Sequence, residues 1–149
     1  MSPELFSHEY FMKQALLEAE KAGSKDEVPV GAVVVARQTI IARAHNLTET
    51  LGDSTAHAEM QVITAAANAL GSKYLNECVL YVTLEPCIMC AGALYWAQIG
   101  TVVFGASDPK RGYQRSIMPL LHPKTQVVQG ILATEAEQLL LDFFKPKRL

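Results

Sequence analysis

Apolar residues recur at Met12, Ala15, Leu16 and Ala19, the i, i+3, i+4, i+7 spacing of one helical stripe, with Ser7 placed to cap its start and Gly23 to end it in the left-handed conformation. The period then changes. Residues 30–35 are a β-branched run that reads as a buried strand, and 39–44 follow across Arg37 and Gln38, so the two are expected to pair as a hairpin. Polar residues fill 45–54, a loop with Gly52 and Asp53 as its turn. From about 56 to 70 the helical period returns, with Ser54 or Thr55 as cap and Gly71 as terminator. Almost no polar face is left on this helix, which places it at the centre of the fold or at a subunit interface.

Residues 79–83 are a short β-rich run, 87–99 a helix ending at Gly100, and 101–105 a further strand. Strand, helix and strand with such short joints predict a right-handed parallel crossover. After a polar loop at 106–115, residues 117–121 read as a short helix, 126–129 as a last strand, and Thr134 with Glu137 as a capping box opening the final helix. In that helix Ala136, Leu139, Leu140, Phe143 and Phe144 share one stripe, and Lys145, Lys147 and Arg148 close the chain. The expected architecture is α/β: a single domain over residues 1–149, with a mixed sheet of about five strands and helices on both faces.

Composition narrows this picture. Half of the 149 residues are apolar, enough for one sizeable core, and a net charge of −2 gives no support to a general polyanion binder. The charge is unevenly spread, however. From Gly100 onward there are seven Lys and Arg against four Asp and Glu, whereas the first ninety-nine residues carry a net −5. Three cysteines, two of them in a CxxC, do not make a disulfide framework, and Cys78 left unpaired would be a liability in an oxidising compartment; a cytoplasmic location is expected. The start of the chain, with Glu4 and Glu9, lacks an apolar leader core, and the longest apolar stretch, 91–106, is interrupted by Gln98, Gly100 and Thr101, so no membrane association is expected.

The chemistry lies in two segments, His57-Ala58-Glu59 and Pro86-Cys87-Ile88-Met89-Cys90. Two thiolates and an imidazole are the borderline-soft donors that zinc prefers, and three of them leave a fourth tetrahedral position for a water. Glu59 sits close to a ligand yet is available for proton transfer. Cys87 and Cys90 share one helix face, but His57 and Glu59, two apart, diverge on a regular helix and can approach one ion only if it lies off the helix end. Two helix N-termini, one near Ala56 and one near Pro86, are therefore expected to point at the same zinc, where their dipoles favour anionic thiolate. A closed structural site with Cys78 as fourth ligand is the competing arrangement; its place at a strand start, outside any paired spacing, speaks against it. His45 and His122 are read as loop hydrogen-bonding residues, and Tyr95 with Trp96 as packing. H-x-E followed by P-C-x-x-C is the known signature of zinc nucleobase deaminases, hydrolases of an amino-bearing ring.

Longer stretches go further. VPVGAVVV at 28–35, AHN at 44–46, TAHAEM at 55–60, LYVTLEPCIMCAGAL at 80–94 and VVFGASDPK at 102–110 closely resemble the bacterial tRNA-specific adenosine deaminase family, over nearly the whole chain. The resemblance implies a three-layer α/β/α cytidine-deaminase-like fold, a homodimer with one zinc per subunit, and conversion of adenosine to inosine at the wobble position of a tRNA anticodon stem-loop. It implies His57, Cys87 and Cys90 as zinc ligands and Glu59 as proton shuttle. Asn46 would hydrogen-bond the base beside the Ala58 backbone, Val28 and Pro29 would form the apolar wall, and Asp108 would lie in the loop that holds the nucleotide. Phe144, Lys145, Lys147 and Arg148 at the chain's end, with Lys110 and Arg111, would flank the RNA.

Two departures carry the alternatives. GALYWAQ at 92–98 looks more like the guanine and cytosine deaminase branch, and RGYQRS at 111–116 replaces a small-residue loop. A free-base or nucleoside deaminase is thus the second reading, although the guanine branch resembles a type with an aromatic residue near its C-terminus, often tyrosine, and here the last tyrosine is Tyr113. A non-catalytic RNA-binding subunit is the third; such a protein would have no need of Glu59.

Overall fold

The structure is a computed structural model that describes residues 7–147. Its framework is one five-stranded sheet, β1 (Gly31–Ala36), β2 (Thr39–His45), β3 (Cys78–Leu84), β4 (Thr101–Ala106) and β5 (Gln126–Gln129), in the order β2-β1-β3-β4-β5. β1 runs antiparallel to β2 and β3, while β3, β4 and β5 are parallel. The hairpin turn at Arg37 and Gln38 has φ of 51° and 64°, the paired positive values that match the twist of two antiparallel strands.

Alternation along β1 builds two cores. Ala32 and Val34 face one side with Val62 and Ala66 of α3 (Ala58–Leu70) and Leu94 of α4 (Ile88–Ala97). Val33 and Val35 face the other with Phe11, Met12 and Ala15 of α1 (His8–Ser24). The last helix, α5 (Ala133–Phe144), packs on β4 beside α1, completing the three-layer α/β/α arrangement. Ser7 caps α1 as expected, its Oγ accepting from the Tyr10 amide at 3.0 Å.

α1 crosses β1 at Gly31, where a methyl group would be driven into the Ala15 carbonyl and the Ala19 amide. Backbone cannot yield there as a side chain could. Gly31→Ala is expected to lower stability by about 3 kcal/mol, seen as a thermal midpoint roughly 10 °C lower.

Element ends differ from the periodic reading for local reasons. α1 continues through Ser24, and Asp26, not Gly23, takes the left-handed conformation at φ 60°, because the amides of Lys25 and Glu27 both fold back onto the Ala22 carbonyl. α3 begins at Ala58 with His57 as its N-cap, since Asp53 draws Thr55 into a turn through Oδ1, at 2.9 Å from the amide and 2.8 Å from the hydroxyl. α4 stops at Ala97 with Gln98 left-handed at φ 53°; Gly100 serves instead where β4 passes 2.5 Å, measured from an ideal Cβ, from the Asn76 carbonyl. The 45–54 loop contains a short helix, α2 (Thr48–Leu51). Residues 117–121 are not helical, and the 3₁₀ turn falls earlier, at Tyr113–Arg115. The Thr134 and Glu137 box is absent: Leu132 occupies the N-cap of α5 at φ 54° with no side-chain bond. Tyr95 and Trp96 do not enter the core; their rings meet edge to face at 5.6 Å on the surface, with Trp96 77% exposed.

Candidate active site

Two N-caps meet at the site. His57 caps α3 and Cys87 caps α4, both with extended backbone and neither with a side-chain cap bond, while Cys90 lies one turn into α4. This is the two-helix-end geometry that the His57 and Glu59 spacing required. His57 Nδ1 stands 3.7 Å from Cys87 Sγ and 3.6 Å from Cys90 Sγ, and all three donor atoms lie within 4.8 Å of one another. Metal–ligand lengths of about 2.0 Å to nitrogen and 2.3 Å to sulfur give tetrahedral edges of about 3.6 Å, so the donor set fits zinc by chemistry and by spacing. Cys78 is buried at the start of β3 and is not among the clustered donors.

Electrostatics at the site favour one anion, the Cys87 thiolate. Hydrogen bonding from the Cys90 thiol, with further help from His57, brings the Cys87 thiol down to about 4. Cys90 is pushed up in turn, since its proton is held by the Cys87 thiolate. The same thiolate raises His57. Glu59, 4% exposed in the first turn of α3, is pushed up to about 7, chiefly by burial. A carboxyl poised there changes protonation state near neutrality, as a proton shuttle must.

His57, Glu59 and Cys87 lie at the wall of a cleft of about 860 Å³, with Cys90 buried behind them. Val28, Asn46, Ala58 and Asp108 line it, and so do Lys110, Arg111, Phe144 and Lys147. Pro29 does not: it is buried against Gly23, and Val30 takes its place in the wall. Lys145 is exposed outside the cleft lining, and Arg148 lies outside the described residues. Lys147, itself part of the lining, reaches back to Asp26 at 3.0 Å and lies over the Phe143 ring. Asn46 is 7% exposed; its Nδ2 donates to the Val28 carbonyl at 3.4 Å and its Oδ1 accepts from the Thr48 amide at 3.3 Å. Asp108 Oδ1 accepts from the amides of Lys110 and Arg111, which organises the loop around it.

Three carboxylates missed by motif reading support this arrangement. Glu27, fully buried, accepts from the Glu49 amide at 3.0 Å and from the Thr50 amide and hydroxyl at 2.6 Å each, fixing the loop that follows Asn46. Burial works to raise its carboxyl, but these bonds win and hold it below the usual range. Glu18, likewise buried, is held low by His45, Lys21 and Arg43 and steadies the strand end before Asn46. Glu85 lines the cleft two residues before Cys87. A charged residue at the end of an apolar strand was the available signal for Glu85; nothing local marked the other two.

Comparison with known proteins agrees with this geometry. The cytidine and deoxycytidylate deaminase zinc-binding region matches residues 6–106. The tRNA-specific adenosine deaminase of Bacillus subtilis is 50% identical over 145 residues, covering 94% of this chain and 90% of that protein. A structure from studies of A-to-I editing by tRNA:A34 deaminases at the wobble position superposes with a TM-score of 0.83 at 46% identity, covering 88% of this chain and 99% of the other. The guanine deaminase of Bacillus subtilis is 41% identical with a TM-score of 0.65, but over only 68% of this chain and 65% of its own. The chain therefore belongs to the zinc-binding cytidine and deoxycytidylate deaminase family, and within it to the tRNA-specific adenosine deaminases.

Proposed function

We propose that this protein hydrolyses the 6-amino group of adenosine to give inosine and ammonia at the wobble position of a tRNA anticodon. The observation that carries the reading is the buried Glu59 carboxyl, poised at about 7 beside the His57, Cys87 and Cys90 donor set, in a cleft whose rim presents Lys110, Arg111 and Lys147. His57, Cys87 and Cys90 would hold the zinc, which would supply the Lewis acidity that makes water a nucleophile near neutral pH. Glu59 takes a proton from the attacking water, delivers it to the ring nitrogen next to the carbon under attack, and passes the second to departing ammonia. Val28 and Val30 form the apolar wall, and the Asn46 amide with the Ala58 backbone reads the flipped base.

A base reaches such a cleft only by leaving its stack, so neighbouring phosphates must be gripped at the rim. Lys147 lines the cleft with Lys110 and Arg111, and Lys145 is exposed at the start of the same 3₁₀ turn. Neutralising Lys145 and Lys147 together is expected to weaken stem-loop binding and to reduce the slope of log affinity against log salt by about one to two. An unchanged slope would remove the tail from the interface.

The protein acts in the cytoplasm as a homodimer in this reading. Support for the dimer is the apolar surface that α4 and the 117–118 segment leave uncovered: Ile88, Trp96, Ile117 and Met118 are 58%, 77%, 101% and 68% exposed. Among the described residues no helix is long and apolar enough to cross a membrane.

The deciding experiment is inosine formation in an anticodon stem-loop with a wobble adenosine, set against ammonia release from guanine, cytosine and cytidine. Conversion of the stem-loop is expected. If the loop is untouched while guanine is turned over, the free-base reading replaces this one.

A further inference from the structure

The cleft contains two buried carboxylates, and they are tied down differently. Glu59 stands beside the metal-binding donors, whereas Glu85 has both oxygens committed to backbone amides: Oε1 accepts from Asp108 at 2.9 Å and Oε2 from Gln114 at 3.0 Å. Those residues are the two ends of the loop that follows β4. Between them Gly112 lies flat on the carboxylate, so close that a methyl group at that position would overlap Glu85 Cδ and its oxygens. Backbone bonds run alongside, from the Glu85 amide to the Ala106 carbonyl at 2.8 Å and from the Tyr113 amide to the Pro86 carbonyl at 2.9 Å. Glu85 is 4% exposed and its charge is met by oriented amide dipoles, the arrangement by which a loop is moulded around an anion.

The same short segment carries Cys87, which pairs directly with Gly112 in an isolated antiparallel bridge. Loop and metal-binding donors are thereby referred to one rigid strand end. The loop's own bonds, from the amides of Lys110 and Arg111 to Asp108 Oδ1 and from the Arg115 guanidinium to the Lys110 carbonyl, shape its tip but do not fix it to the rest of the molecule. That attachment is shared by the Tyr113 amide on the Pro86 carbonyl, the Cys87–Gly112 bridge and Glu85, and of these Glu85 is the side chain that holds both ends at once.

We propose that Glu85 is a positioning residue for substrate: its carboxylate clamps both ends of the 108–114 loop and so sets Asp108, Lys110 and Arg111 at a fixed distance from the metal-binding donors. Both its oxygens are engaged by the loop amides, which is the contact this role needs. This inference rests on the functional reading above, in which the loop grips nucleotide and phosphate. In Glu85→Gln one amide N–H would face an NH₂ donor, releasing one end of the loop.

The test measures wild type, E85Q and G112A for zinc content, for stem-loop binding, and for deamination under limiting and saturating RNA. Both substitutions attack the same contact from opposite sides, so a folding failure in one leaves the other to report. The expected result is intact zinc content with kcat/KM down on the order of 100-fold, carried mainly by KM, and a single-turnover rate at saturating RNA within a few-fold of wild type. The inference is overturned if both variants keep wild-type KM, or if zinc is lost in proportion to activity, which would make Glu85 a support of the metal site. Failure of the wild-type protein to deaminate the stem-loop would instead strike the functional reading and is scored separately by the wild-type control.

Discussion

Glu59→Gln is expected to lower deamination on the order of 10,000-fold while zinc content is unchanged. The side chain keeps its size, and the three donors of the metal cluster are untouched; what disappears is the proton carrier. Loss of zinc in this variant would instead make Glu59 a ligand. A second signature follows from burial. The carboxyl sits near 4.5 in an unfolded chain and about 7 in the metal-free fold, so folding disfavours its charged form. For an acid raised in this way, stability is full below pH 4.5, falls as pH rises toward 7, and stays lower above it. Glu59→Gln removes that penalty. The metal-free variant should exceed metal-free wild type by about 3 kcal/mol at pH 8 and by nothing near pH 4, measured by denaturant unfolding in the presence of a chelator. A variant that is inactive and more stable would mark Glu59 as a residue retained for chemistry at the expense of the fold.

Cys90→Ala should abolish both zinc binding and activity. Only two soft donors remain, and the three-ligand arrangement of a catalytic zinc is broken. Two further readouts separate this from misfolding. In wild type a chelator should lower the thermal midpoint, because bound metal stabilises the fold by mass action; in C90A the chelator should change nothing. In the metal-free state the wild-type Cys87 thiol, held at about 4 by Cys90 and His57, should alkylate as a thiolate well below neutral pH. Without the Cys90 donor that reactivity should need a distinctly higher pH. Retained zinc in C90A would call for another ligand set.

The comparison of sequence with structure divides along physical lines. Period-3.6 and period-2 patterning located α1, α3, α4, α5 and all five strands, because each buries one face or lies wholly inside, and burial is what a hydrophobic pattern records. Ends were harder. At Asp53, Gln98 and Leu132 the outcome depended on a side-chain bond or a left-handed residue that competes with the nearest glycine or cap motif, a contest decided by short-range bonds that hydrophobic periodicity does not record. The metal-binding donors were legible because the His57 and Glu59 spacing has only one sterically sound solution, an ion beyond the helix end. Pro29 was not placed correctly: a residue next to a cleft residue is easily credited with the cleft, and here it is buried beside Gly23, outside the cleft lining. Glu18 and Glu27 escaped notice because a buried carboxylate tied to distant groups has no local pattern, whereas Glu85 did carry one, a charge at the end of an apolar strand.

The site is also divided along the chain. Val28, Asn46, His57, Glu59, Cys87 and Cys90 all lie before residue 91, and the cleft residues from Ala106 to Lys147 come after. The family match ends at residue 106, at that same division. During synthesis the reactive centre and base pocket emerge first, and the rim is added to them later. Base pocket and rim are thus built from separate stretches of chain, and the contacts that join them run from Glu85 to Asp108 and Gln114 and from Cys87 to Gly112.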